Sequence, residues 1–243
     1  MTLLEKKTTI VTFIKKYVGK KQAILGLSGG IDSTLVAYLA VEALGRDRVH
    51  GLILPSSTNA REDTELAILV AKSLGIVHET IDIDPIVNVF RSQTNFIKND
   101  YTIGNLKART RMNLLYAKAN SIDGIVLGTG NKTEEMIGYF TKYGDGGVDI
   151  LPIGDLYKHE VRKLATEIGI PKQIIDKKPT AGLWEGQYDE DEIGMNYDTL
   201  DQILEAIEKN EDLSVLNQEY VQKVKDMIAS SEHKRHMPPV CKL

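Results

Sequence analysis

Apolar residues Leu3, Leu4, Ile10, Val11, Phe13, Ile14 and Tyr17 return at near-helical intervals and stop at Gly19, which predicts an amphipathic helix over residues 2–18. The pattern then changes. Residues 23–27 form a short continuous apolar run, as in a strand covered on both faces, and residues 33–44 return to helical character before Gly45. The alternation continues with a strand at 49–54 stopped by Pro55, and a helix opened by Asn59 with Glu62 as a capping box and closed by Gly75. A strand at 77–83, helices at 85–98 and 104–120, and a strand at 124–127 follow, with 150–153 as a candidate fifth strand. Asp155 reads as the N-cap of a helix running to Ile168, ended by Gly169 and Pro171. Residues 176–197, rich in glycine and charge around the single Trp184, read as a loop or lid rather than core. Leu200, Ile203, Leu204 and Ile207, and then Val221, Val224, Met227 and Ile228, mark two more helices.

Short apolar strands alternating with helices predict an α/β fold: a Rossmann-like open, mostly parallel sheet with helices on both faces. Ligands of such sheets sit beyond the C-terminal ends of the strands, which here aligns residues 27–33, 55–59 and 128–134 along one edge. A chain of 243 residues can bury its core as a single domain, 1–243, and no internal repeat divides it.

Charge and cysteine usage narrow the partners. Thirty basic residues stand against 34 acidic ones, a formal charge of −4, so there is no broad basic surface and nucleic acid is a poor first partner. Cys241 is the only cysteine, which excludes an intrachain disulfide, a Cys-x-x-Cys pair and a cysteine-rich zinc site, and fits the cytoplasm. Glu5, Lys6, Lys7, Lys15 and Lys16 interrupt the N-terminal segment too often for a secretory h-region, and no apolar run reaches membrane length.

The candidate chemistry begins where the first strand ends. Gly26, Leu27, Ser28, Gly29, Gly30, Ile31, Asp32 and Ser33 lie between strand and helix, where small residues let backbone N–H groups converge on an anion and the helix N-terminus adds positive potential. A lone glycine pair there would be read as a tight turn. A Walker A loop needs a lysine before the hydroxyl residue, and this loop has Asp32 instead. A carboxylate facing phosphates calls for a cation between them; the plainer reading of Asp32 is a helix cap.

The run Ser28-Gly29-Gly30-Ile31-Asp32-Ser33 resembles the SGGxDS pyrophosphate loop of the N-type ATP pyrophosphatases, which cleave ATP to AMP and pyrophosphate. Four further stretches, residues 107–112, 128–134, 151–158 and 178–187, with His233-Lys234-Arg235, are similar to the ammonia-dependent NAD synthetases in order and over nearly the whole chain. The resemblance implies an adenine nucleotide alpha hydrolase-like fold and amidation of deamido-NAD by ammonia through an adenylate, with ATP as co-substrate, Mg²⁺ as cofactor and a homodimer as assembly. It implies that residues 26–33, Thr129, Lys158 and Thr180 bind ATP, and that Asp32 and Glu134 ligate the metal. Arg109, Lys142, Asp149, His233 and Lys234 are implied to contact deamido-NAD. Of the two arginines on one helix, the motif selects Arg109 over Arg111. Asp145, near the matched segment, is a candidate proton acceptor for ammonium.

Without the motif, Glu134 would be an ordinary first-turn glutamate and Lys158 a solvated lysine inside a helix. Tyr188 departs from the smaller hydroxyl residue expected of relatives, which bears on lid closure. A glutaminase needs its own domain and a cysteine nucleophile, and the terminal Cys241 does not supply one. A tRNA sulfur transferase sharing the loop would call for paired cysteines and a basic surface. A binding module without turnover would leave Asp32, Glu134 and Lys158 without a joint purpose.

Overall fold

The computed structural model describes residues 1–242. Four parallel strands, β1 (Gln22–Gly26), β2 (Val49–Ile53), β3 (Val77–Thr80) and β4 (Gly124–Leu127), form one sheet in the order β3-β2-β1-β4. β1 is central and its Ala23, Ile24 and Leu25 are fully buried, as expected for an apolar run too short for a helix. Alternation splits its side chains. Ala23 and Leu25 enter a core with α1 (Leu3–Val18), α2 (Ile31–Leu44) and α3 (Arg61–Leu74), while Ile24 enters a second core on the opposite face. That second core is closed by α4 (Asp84–Ser92) and α5 (Asp100–Ser121), through Val87, Met112, Leu115 and Ala119.

A third core lies beyond the sheet, between α6 (Lys132–Ile137), α9 (Asp189–Ile193), α10 (Tyr197–Glu208) and α11 (Gln218–Ser230), with Ile137, Ile193, Tyr197 and Leu204 among its buried members. α7 (Lys158–Glu167) and α8 (Lys172–Ile175) pack into the first core through Val161, Leu164 and Ile174, and a short α12 (Glu232–Arg235) follows α11. Strand order reverses between β1 and β4, so the loops after these two strands open side by side into one crevice.

Several sequence expectations need correction. Asn59 does not cap α3, which starts at Arg61 with Ala60 at the N-cap; its side-chain oxygen instead accepts from Ser56 N at 2.9 Å and from Arg111 Nη2 at 3.0 Å. Asp155 does not cap α7 but pairs with Lys132 at 3.0 Å. Tyr157 is the N-cap, so Lys158 is the first helical residue and not one inside the helix. The candidate fifth strand is a single bridge from Leu127 to Ile150, and Pro152, which has no N–H, prevents its extension.

The segment 176–197 is not merely a loop or lid: it includes α9, and Ile193, Met195 and Tyr197 belong to the third core. These three alternate with Gly194 and Asn196 after four acidic residues, a spacing of two that carries no helical signal. α2 begins at Ile31 with Gly30 at its N-cap, so Asp32 does not cap it and sits in its first turn, and no helix among the described residues is long and apolar enough to cross a membrane.

Candidate active site

Gly30 can precede α2 only because Gly29 takes φ +77°, a left-handed turn that folds the chain back after β1. A Cβ on Gly29 would stand 2.2 Å from the Asp63 carbonyl oxygen, so the loop is packed directly against the start of α3. Ser33 Oγ accepts from Ser28 N at 3.2 Å and faces Ser28 Oγ at 3.0 Å, which holds the turn as a closed ring. Asp32 is thereby turned toward the crevice.

There it meets residues from β4's end and from α7. Lys158 Nζ lies 2.6 Å from Asp32 Oδ2 and 3.0 Å from Glu134 Oε1, and 4.9 Å from the centre of the Tyr197 ring. Asn131 and Glu134 form a capping box that starts α6, and the Asn131 amide also donates to Asp32 Oδ1 at 3.0 Å. The Asn131-x-x-Glu134 spacing is that of a capping box, and the second use of Asn131 depends on Asp32, 99 positions away.

Lys158 is 2% exposed. Burial works against its charge, but Asp32 and Glu134 outweigh that and raise its pKa, so it is an ammonium. Glu134 is pushed up by burial, which the attraction of Lys158 only partly offsets. Tyr197 Oη reaches Asp189 Oδ2 at 3.1 Å and Glu134 Oε1 at 3.4 Å, and Tyr139 Oη reaches Asp189 Oδ1 at 3.3 Å and also Glu192. Burial also raises the Asp189 pKa. Asp32, Glu134 and Asp189 therefore surround one ammonium, a carboxylate-rich site short of positive charge.

The crevice has a volume of about 420 Å³ and is lined by every residue of the 26–33 loop except Gly29, and by Thr129, Thr180, Lys158 and Glu134. Its walls are apolar beside β1 and α5, at Leu27, Leu54, Met112 and Leu115, and polar near Asp32, the usual division in a nucleotide site. The 176–197 segment crosses the opening. Its Gly182 carbonyl accepts from Thr58 at 3.1 Å, its Leu183 carbonyl accepts from Lys107 Nζ at 3.0 Å, and Lys177 pairs with Asp63 beside the loop.

Of the five residues implied to hold the dinucleotide, one lines the crevice and four do not. Lys234 lines the crevice and donates to the Gly138 and Phe140 carbonyls, both at 2.7 Å. Arg109, Lys142 and His233 lie outside it but join one another: Arg109 Nε donates to the Lys142 carbonyl at 3.2 Å, and Lys142 Nζ to the His233 carbonyl at 2.5 Å. Asp149 accepts from Tyr116 Oη at 2.9 Å and from Val126 N at 2.8 Å, which ties it to α5 and β4.

The arginine in the crevice is Arg111, which sequence reasoning passed over. It donates to the Leu54 carbonyl at 2.9 Å, and burial lowers its pKa to about 10. Asp145 opens onto the crevice although protein surrounds it on most sides. That setting raises its pKa, while its hydrogen bond from Thr141 N and the nearby Lys234 and Arg111 pull it back.

A parallel sheet whose switch point carries a glycine-rich loop, with a carboxylate where a P-loop has its lysine, is the arrangement that the resemblance to the N-type ATP pyrophosphatases implies for a nucleotide-activating ligase. The family model described as NAD synthase matches residues 6–238, and the chain belongs to that family. It is 50% identical over 238 residues to the NH(3)-dependent NAD(+) synthetase of Archaeoglobus fulgidus, with 96% of this chain and 95% of that one covered. Among solved structures it is similar to the NMN synthetase of Francisella tularensis, with TM-score 0.91 and 36% identity, and both chains are covered in full. It is likewise similar to the NH3-dependent NAD synthetase of Campylobacter jejuni, with TM-score 0.86 and 30% identity over the whole of both chains.

Proposed function

We propose that this protein amidates deamido-NAD with ammonia, cleaving ATP to AMP and pyrophosphate. The observation that carries the reading is the Asp32, Glu134 and Lys158 cluster facing the glycine-rich loop in one crevice. A nicotinate carboxylate oxygen attacks the α-phosphorus of ATP and pyrophosphate leaves. Ammonia then attacks the acyl carbon of the adenylate, AMP leaves, and a proton is given up from nitrogen. Loop amides and Lys158 stabilise the charge that moves onto pyrophosphate, and residues 176–197 keep water from the adenylate.

The donor set suits Mg²⁺, which takes one or two carboxylates and completes its shell with phosphate oxygens and water. Asp32 and Glu134 supply the carboxylates, and the excess of acid around Lys158 supplies the attraction. Among the described residues no cluster of three or more His, Cys, Asp or Glu forms an all-protein cage. When bound, the ion would neutralise the departing pyrophosphate.

The direct test supplies ATP, Mg²⁺ and deamido-NAD with ammonium or glutamine in separate reactions and follows NAD and pyrophosphate together. Both products with ammonium alone are expected; pyrophosphate without NAD would sink the acceptor assignment. The likeness to the Francisella NMN synthetase supports a second reading, amidation of the mononucleotide acid, and competition between the two acceptors decides between them.

We infer that Asp145 accepts the ammonium proton. Asp145→Asn is expected to lower kcat/KM for ammonium by about a hundredfold while leaving ATP affinity unchanged. An unaltered ammonium titration would remove Asp145 from the mechanism.

Arg109, Lys142, Asp149, His233 and Lys234 remain the residues we propose for the dinucleotide. A homodimer is the assembly we infer, supported by exposed Val89, Phe90, Phe96 and Tyr101 on and after α4, and sedimentation velocity should report twice the monomer mass. The substrates are those of the cytoplasm, and neither nucleic acid nor membrane is part of the reading.

A further inference from the structure

Asp201 is a carboxylate on α10, 2% exposed, that belongs to none of the motifs. Its Oδ1 accepts from the Thr133 hydroxyl at 2.5 Å, and its Oδ2 accepts from the His159 backbone N–H at 2.8 Å and faces His159 Nδ1 at 3.0 Å. Thr133 Oγ1, having donated its proton to Asp201, accepts from the Lys158 backbone N–H at 2.9 Å. Thr133 directly precedes Glu134, and His159 directly follows Lys158.

One buried carboxylate thus grips the first turns of both α6 and α7, at the neighbours of the two residues whose side chains meet at 3.0 Å in the crevice. The hydroxyl closes the bridge between the helices. A loose α6 or α7 could still be folded, but the Glu134 to Lys158 spacing would then be set only by the ion pair itself.

We propose that Asp201, acting through Thr133, is a positioning residue for the reaction: it fixes the relative placement of Glu134 and Lys158. The assignment rests on the function proposed above. The geometry asks for more than fold stability, because the groups gripped are backbone amides in the first turn of α7 and a hydroxyl between the helices, not apolar core. A shift of this pair by a fraction of an ångström lowers the rate without unfolding anything.

Asp201→Asn keeps the shape. Its amide can satisfy the His159 N–H or the Thr133 hydroxyl as acceptor, but not both. Thr133→Val removes only the hydroxyl, and Thr133→Ser retains it. At a temperature where melting curves show each variant fully folded, Asp201→Asn and Thr133→Val are expected to lower kcat for pyrophosphate release by about tenfold or more, with the KM for deamido-NAD nearly unchanged. Thr133→Ser should stay within about threefold of the parent, and the double variant should lose little more than either single one, since both cut the same bridge. Equal kcat in Thr133→Val and Thr133→Ser, or unchanged kcat in Asp201→Asn, would overturn the proposal and leave Asp201 a stabilising residue only.

Should Asp201→Asn fail to fold, the Thr133 pair still decides. Calorimetric ATP affinity with Mg²⁺ present is measured on the same proteins. A parent that binds ATP yet makes no NAD defeats the functional reading, and the positioning role then stands or falls on a loss of ATP affinity in Thr133→Val that Thr133→Ser restores.

Discussion

Lys158→Met should abolish useful turnover: pyrophosphate release at saturating ATP is expected to fall by about 10³-fold, or about 4 kcal/mol of transition-state stabilisation. The argument is one of charge. Lys158 is the ammonium held by both Asp32 and Glu134, with Asp189 close by through Tyr197. Methionine preserves the length of the stem that packs on Tyr197 and removes only the positive end. The corner of the crevice around Asp32, Glu134 and Asp189 then loses the ammonium that offsets its carboxylates, and like charges there oppose both binding and the shift of charge onto pyrophosphate. Breaking a buried pair from one side also costs about 3 to 5 kcal/mol of stability where the remaining charge cannot escape. Here Glu134, already pushed up by burial, can take a proton once the ammonium is gone, so the fold should survive with a lower melting temperature. Steady-state pyrophosphate assays at temperatures below that transition separate the two effects. Turnover within tenfold of the parent would show that the ammonium is a structural counter-ion and not part of the chemistry.

The path of the chain was legible where local pattern and global fold agree. β1, β2 and β4 are apolar runs bounded by Gly, Pro or charge, and the glycine-rich loop announces both its turn and its anion-binding amides. Legibility failed where a residue's task is set by a distant partner. Asp189 stands in the run Asp189-Glu190-Asp191-Glu192, and nothing local marks it as the one buried between two tyrosine hydroxyls. Asp201 looks like any acid on an amphipathic helix until Thr133, 68 positions away, is brought against it.

Arg111 is a different case, because helix arithmetic does distinguish it. Lys107, Ala108, Met112 and Leu115 are the buried face of α5, and Arg111 falls four residues after Lys107 and three after Ala108, whereas Arg109 falls off that face. The two arginines were separated by motif when the spacing of their apolar neighbours already separated them.

Gly29→Ala should be the most damaging change that touches no charged group, with ATP affinity reduced by about a hundredfold and the melting temperature lowered by several degrees. Two costs add. Holding alanine at φ +77° costs roughly 1 to 2 kcal/mol, and at about 2 to 4 °C per kcal/mol for a domain of this size that alone is visible in a melting curve. The new methyl would also stand 2.2 Å from the Asp63 carbonyl oxygen, which is backbone and cannot swing aside. The loop must therefore lift away from α3, which displaces the Ser28 and Gly30 N–H groups and carries Asp32 off its line to Lys158. Gly45→Ala separates the costs: Gly45 has φ +80° and no atom within 4 Å of its would-be Cβ, and it closes the far end of α2. That variant should lose stability from backbone strain alone and bind ATP as the parent does, by calorimetry with Mg²⁺ present. If Gly29→Ala matched Gly45→Ala in both readouts, the loop would be tolerant of displacement and the tight packing of Gly29 on Asp63 would have no part in shaping the phosphate site.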